Sequence, residues 1–142
     1  MQIIKHTIKT KATPAQIWKV WEDAENWKTW DHEIELSRLD GPFQTGTTGC
    51  TKFVGTPFIK TLLIEVEPYK LVVQESQLSL AKVISTQSMK CDGDATEVTF
   101  QVEIRGFFSL FYACILGRFI KKKIPAEVEE MLKRVKTLEK LS

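Results

Sequence analysis

The sequence predicts an α+β fold: one strand, one or two short helices, about six further antiparallel strands and a long terminal helix. Three observations carry this prediction. Residues 33 to 105 fall into runs of period two, separated by turns rich in Gly, Pro and Asp. Residues 128 to 138 repeat apolar side chains at helical spacing. A capping box at Thr13 opens an isolated helix close to the start.

The elements follow in order. In IIKHTIKT, residues 3 to 10, strand period puts Ile4, His6, Ile8 and Thr10 on one face and Ile3, Lys5, Thr7 and Lys9 on the other. Thr13 is a good N-cap. Pro14 takes the first helical position, where its missing N–H costs nothing, and Gln16 completes the box. Ile17, Val20, Trp21 and Ala24 continue with helical spacing, which predicts a helix from about residue 14 to 23. Trp27 and Trp30 lie three apart, so one more helical turn brings them to the same side. From Glu33 the period changes to two. Ile34 and Leu36 lead to a turn at Asp40-Gly41-Pro42, and Gly46 and Gly49 open a strand ending near Gly55-Thr56-Pro57. FIKTLLIEVE, residues 58 to 67, is the next strand, closed by Pro68. LVVQESQL, AKVISTQSMKC and TEVTFQVEIR are three more, the last two divided by Asp92-Gly93-Asp94. In the last of them Val98, Phe100, Val102 and Ile104 alternate with polar residues, giving one buried and one wet face. After Gly106 the pattern is helical. Val128, Met131, Leu132, Val135 and Leu138 form one stripe, and Pro125 predicts a kink or break near Ile124. The long helix is the only large element able to cover the sheet's apolar face.

Composition excludes several classes of function. The chain has 142 residues, which suits one domain, with 43% hydrophobic and 27% charged residues. A net charge of +2 is too small to argue for nucleic acid, and no aromatic-basic RNA motif is present. The basic character is concentrated in residues 118 to 142, with eight basic and four acidic side chains. Cys50, Cys91 and Cys114 are far apart, odd in number and without a C-x-x-C. They predict neither a disulfide framework nor a zinc site, and they fit the reduced thiols of a cytoplasm. The start lacks the continuous apolar core of a secretory signal. In FFSLFYACILGRFIKKK, residues 107 to 123, the uncharged run from Gly106 to Gly117 is 12 residues. A membrane-spanning helix needs about 20.

The order of elements, with TPAQIWKVWED, NWKTWDHEI, GPFQTGTTG, IEVEPYKLVV, DATEVTFQVEIRG and the closing amphipathic helix, resembles the START-like or SRPBCC superfamily. It looks most like that superfamily's polyketide cyclase/dehydrase group. Ile17 and Trp18 match the Val/Ile-Trp pair of the group's first helix, and Asp23 and Trp30 match its Asp and downstream Trp. The resemblance covers essentially the whole chain and implies a helix-grip fold. In that fold a curved antiparallel sheet of about seven strands wraps the terminal helix and leaves an apolar cavity between them. Residues expected to line it are Trp18, Trp30, Phe53, Phe100, Phe107, Phe111, Ile115 and Phe119, with Glu75 as a polar contact. Residues 107 to 120 are expected to form the wall and lid of the cavity.

Catalytic machinery is not legible. The two histidines read as a core or rim residue, His6, and a surface-loop residue beside Asp31 and Glu33, His32. Neither metal-ligand spacing nor a nucleophile motif is present, and GPFQTGTTG is not a phosphate loop, so no cofactor or metal is expected. Three functions remain open. The first is a carrier or sensor of a hydrophobic, lipid-like or polycyclic molecule. The second is a cyclase or dehydratase-type enzyme acting in the same cavity. The third is a membrane-surface or protein-interaction domain using residues 107 to 123, in which Lys121, Lys122 and Lys123 meet anionic lipid.

Overall fold

A computed structural model describes residues 1–141. Strands β1 (Gln2–Thr10), β2 (Ile34–Leu39), β3 (Thr48–Phe53), β4 (Phe58–Glu67), β5 (Leu71–Leu78), β6 (Ala81–Asp92) and β7 (Ala95–Arg105) form one sheet. Helix α1 (Pro14–Glu22) and a 3₁₀ helix (Ala24–Thr29) follow β1, and α2 (Ser109–Leu141) closes the chain. The sheet is seven-stranded, in the order β1-β7-β6-β5-β4-β3-β2. Every neighbouring pair is antiparallel. The result is a curved antiparallel sheet gripping a long C-terminal helix, as the resemblance implied.

Local chemistry fixes the ends of the elements. Thr13 accepts from the backbone of Gln16, and the Gln16 side chain accepts from the backbone of Thr13 at 2.8 Å, so both arms of the capping box are made. The second tryptophan turn is 3₁₀ rather than α. It is fixed by the indole N–H of Trp27 donating to the Trp21 carbonyl at 2.8 Å. Gly106 joins β7 to α2 with φ at +114°, and a Cβ there would lie 2.8 Å from the Cα of Ala81. Only glycine meets both conditions.

One prediction is overturned here. α2 is a single helix of 33 residues running through Pro125, with no break near Ile124. Pro125 leaves only the Lys121 carbonyl without its helical donor, and Lys121 is on the exposed side, where water reaches that carbonyl. Ile124 and Val128 are both buried in the main core, so tertiary packing holds both sides of the proline in one helix.

The core sits between α1, the second half of α2 and the concave side of the sheet. Ile17, Trp21, Leu63, Val98, Val128 and Met131 are almost wholly buried there. Each aliphatic side chain among them is worth about 1.5–3 kcal/mol. Trp18 and Trp21 fill the end of the sheet covered by α1. Towards the other end, the first half of α2 packs through Tyr112, Ala113 and Ile120 on a second small core of Ile3, Ala81 and Ile104, and space remains between the helix and the rest of the sheet.

Candidate functional site

That space is a cavity of about 340 Å³ between the concave face of the sheet and α2. Periodicity selects its walls. α2 contributes Leu116, Phe119, Ile120, Lys123, Ile124 and Glu127, which recur every three or four residues on one face. β5 contributes Val72, Gln74, Ser76 and Leu78, and β6 contributes Val83, Ser85 and Gln87, all at strand period. Thr51 and Phe53 come from β3, and Trp27, Trp30 and Asp31 close one end. The surface is mostly apolar, with a strip of neutral polar groups on β5 and β6.

One charged cluster interrupts it. Lys123 Nζ lies 3.1 Å from Asp31 Oδ2 and 3.9 Å from Glu127 Oε2. The same ammonium stands 5.3 Å from the centre of the Phe53 ring. Asp31 Oδ1 accepts from the Glu33 backbone at 3.1 Å, which fixes the carboxylate. Glu127 is only 9% exposed. Burial, and next the charge of Asp31, push its carboxyl up to about 8, against a smaller opposing pull from Lys123. At neutral pH Glu127 therefore largely keeps its proton. Its Oε2 makes no hydrogen bond, and neither does the hydroxyl of Thr51, also buried in the cavity wall.

The cluster is also a partition. A groove of about 410 Å³ on the outer side is lined by Trp30, Asp31, Phe119, Lys123 and Glu127 again, together with His32 and Glu130. His32 Nε2 lies 3.9 Å from Glu130 Oε2 across this groove, on the surface. Among the described residues no group of His, Cys, Asp and Glu is arranged to hold a metal ion.

Of the sequence-predicted site residues, Trp30, Phe53 and Phe119 lie in the cavity wall. Six do not. Trp18 is buried against Trp21, Phe43 and Tyr69. Phe100 is on the concave face but is covered edge-on by Trp21. Glu75 points to the other face of β5, where Lys82 binds it at 2.8 Å. Strand period decides this, since Gln74 and Ser76 on either side face the cavity. Phe107, Phe111 and Ile115 are 84%, 57% and 56% exposed. Each residue turns about 100° round a helix, so the side carrying Phe111 and Ile115 is not the side carrying Leu116 and Ile120. Of residues 107 to 120, only Leu116, Phe119 and Ile120 line the cavity; most of the other apolar side chains face outward.

Lys123 also departs from expectation. It is turned inward against Asp31 and Glu127, and its side chain is only 18% exposed, whereas Lys121 and Lys122 face solvent. The cluster itself was missed because KKK reads as one basic block. The available signal was spacing: Lys123 and Glu127 fall on the same side as Leu116, Ile120 and Ile124.

Comparison with known proteins bears on this geometry. A family model described as polyketide cyclase / dehydrase and lipid transport matches residues 1–138. The chain belongs to that family. The search among curated proteins finds no match. Solved structures show how widely the polyketide cyclase/dehydrase fold is shared. Norcoclaurine synthase from Thalictrum flavum, in complex with dopamine and hydroxybenzaldehyde, superposes with a TM-score of 0.70 at 18% identity, over 93% of this chain and 84% of that one. The Zhui aromatase/cyclase from Streptomyces sp. R1128 gives 0.72 at 10% identity, over 94% and 92%. Ara h 8.0201 gives 0.72 at 11% identity, over 94% and 97%. At such identities the likeness is one of fold. No helix among the described residues is long and apolar enough to cross a membrane.

Proposed function

We propose that this polyketide cyclase/dehydrase-family protein binds a hydrophobic small molecule, lipid-like or polycyclic, in the cavity between the sheet and α2, as a carrier or sensor. The observation that carries this reading is the cavity itself: about 340 Å³, mostly apolar, and walled by α2, strands β2 to β7 and a tryptophan turn. Its size and lining suit a small ligand. The family description, which includes lipid transport, and the small-molecule complex of norcoclaurine synthase support the same reading.

Ser85 sits in the middle of the β6 wall, opposite Gln74 and Val102 in the sheet. Ser85→Trp should fill the cavity from the sheet side and weaken binding of a naphthalene-type fluorescent probe at least ~100-fold, about 3 kcal/mol. Native mass spectrometry of gently purified wild type should show a bound apolar mass that the variant lacks. Equal binding by both proteins would place the ligand elsewhere.

A second reading, an enzyme of the cyclase or dehydratase type, is favoured by one observation. A titratable side chain, Glu127, stands in the cavity wall with its carboxyl held near neutral pH.

The outer face of α2 adds a route for loading. Phe107, Phe108, Leu110, Phe111 and Ile115 are exposed there, and Phe119 reaches from this face into the cavity wall. Residues 104 to 126 contain five basic side chains and no acidic one. Arg105 is paired with Glu103 and Lys123 with Asp31, which leaves Arg118, Lys121 and Lys122 beside the apolar bulk, an arrangement that suits the surface of an anionic bilayer. The protein should float with phosphatidylserine-containing vesicles at low salt, and Phe111→Glu combined with Lys121→Glu and Lys122→Glu should abolish flotation. A wild type that stays at the bottom of the gradient ends this part of the proposal.

A further inference from the structure

We infer that Glu127 and Thr51 form an anchor for one neutral oxygen, a ketone or hydroxyl, on an otherwise apolar ligand. The inference rests on the cavity being the ligand site and adds a class of ligand to it.

The argument starts from satisfaction of polar groups. A buried oxygen without a hydrogen-bond partner has lost its water and gained nothing in return. Two such oxygens lie in this one cavity, Glu127 Oε2 and Thr51 Oγ1. They share a region of the wall. Thr51 and Phe53 are alternate residues of β3 and face the same way, and Lys123, one helical turn before Glu127, stands over the Phe53 ring. A hydrocarbon would leave both oxygens unsatisfied. A ligand oxygen placed between them would complete both.

The neighbouring charges select against ionised ligands. A carboxylate would meet the charge of Asp31, whose ammonium partner is already engaged. A cation would meet that ammonium. A neutral acceptor meets neither objection: the Thr51 hydroxyl is a donor, and so is the protonated Glu127 carboxyl when its one proton turns from Asp31 to the ligand. Other charged or titratable groups at Glu127 are Glu33 and His32 from the loop before β2, and Lys122 and Glu130 from α2. His32, Lys122 and Glu130 lie on the groove side alone, whereas Glu33 also lines the cavity, beside Asp31, Lys123 and Glu127. Loss of the Glu127 proton, centred near pH 8, removes the donor.

The test uses the full chain and two probes. One is 6-propionyl-2-dimethylaminonaphthalene, a naphthyl ketone whose emission moves to the red when its carbonyl accepts a hydrogen bond. The other is its deoxy analogue, 6-propyl-2-dimethylaminonaphthalene. At pH 6 the wild type should bind the ketone about tenfold more tightly than the deoxy probe. That preference, and the red shift, should fade as pH rises through about 8. Glu127→Gln, which keeps an N–H donor and cannot ionise, should hold the preference at every pH. Glu127→Leu should bind both probes equally, with blue-shifted ketone emission. A ketone preference that survives Glu127→Leu, or that ignores pH in the wild type, overturns the anchor while leaving the cavity reading in place. Failure of both probes to bind, or binding that Ser85→Trp does not block, overturns the cavity reading and the anchor with it.

Discussion

Lys123→Met destabilises the protein by about 3 kcal/mol, and adding Asp31→Asn restores most of the loss. The first effect comes from isolating a buried carboxylate. Asp31 is 6% exposed and has Lys123 as its charged partner at 3.1 Å. Removing one member of a fully buried pair costs about 3–5 kcal/mol, because the other charge is left uncompensated. The 18% exposure of the Lys123 side chain puts the expected value at the lower end. The second effect follows from geometry. Asparagine keeps the oxygen that accepts from the Glu33 backbone while discarding the charge. Urea unfolding of the two single variants and the double variant measures the coupling directly. Additive losses would mean that the two side chains do not stabilise each other.

Stability also falls with pH in a window set by Glu127. Its carboxyl ionises near 8 in the folded chain and near 4.5 when unperturbed. Below the lower value both states bind the proton, and the favourable contribution is complete. Between the two values the folded state holds a proton that the unfolded state has released, so stability drops as pH rises. Above the upper value the loss is complete. It is on the order of 5 kcal/mol, because each pH unit crossed between the two values removes about 1.4 kcal/mol. The measurement is the urea midpoint of wild type and Glu127→Gln from about pH 4 to 9.5, a range that brackets both values. The difference between the two curves isolates this carboxyl from every other titrating group. It should open steadily through that window in favour of the glutamine variant at high pH. Parallel curves would sink the assignment.

The fold was largely legible because its signals are local. The capping box at Thr13, the two-residue period of residues 95 to 105 and the stripe from Val128 to Leu138 each report the element they belong to. Pro125 misled because a local rule was set against tertiary packing, and packing on both sides of the proline prevailed. The site was less legible because it depends on facing. Trp18, Phe100 and Phe53 look alike as aromatic positions, yet Trp18 is buried in α1's own packing against Phe43 and Tyr69, Trp21 of α1 covers Phe100, and Phe53 is left in the cavity wall. For Glu75 a shift of one residue along β5 separates the cavity from the outer face, and VVQESQL has no clean alternation to decide it. Asp31 and Lys123 stand 92 positions apart in the chain, so no local pattern connects them.

The partition between cavity and groove is one layer of side chains deep, and Asp31, Lys123 and Glu127 are part of that layer. A wall made of titratable groups behaves differently from one made of leucine. Glu127 lines both spaces, so a proton can reach it from the groove side. Under the proposed anchor, the hold on a ligand oxygen would answer to the pH of the groove.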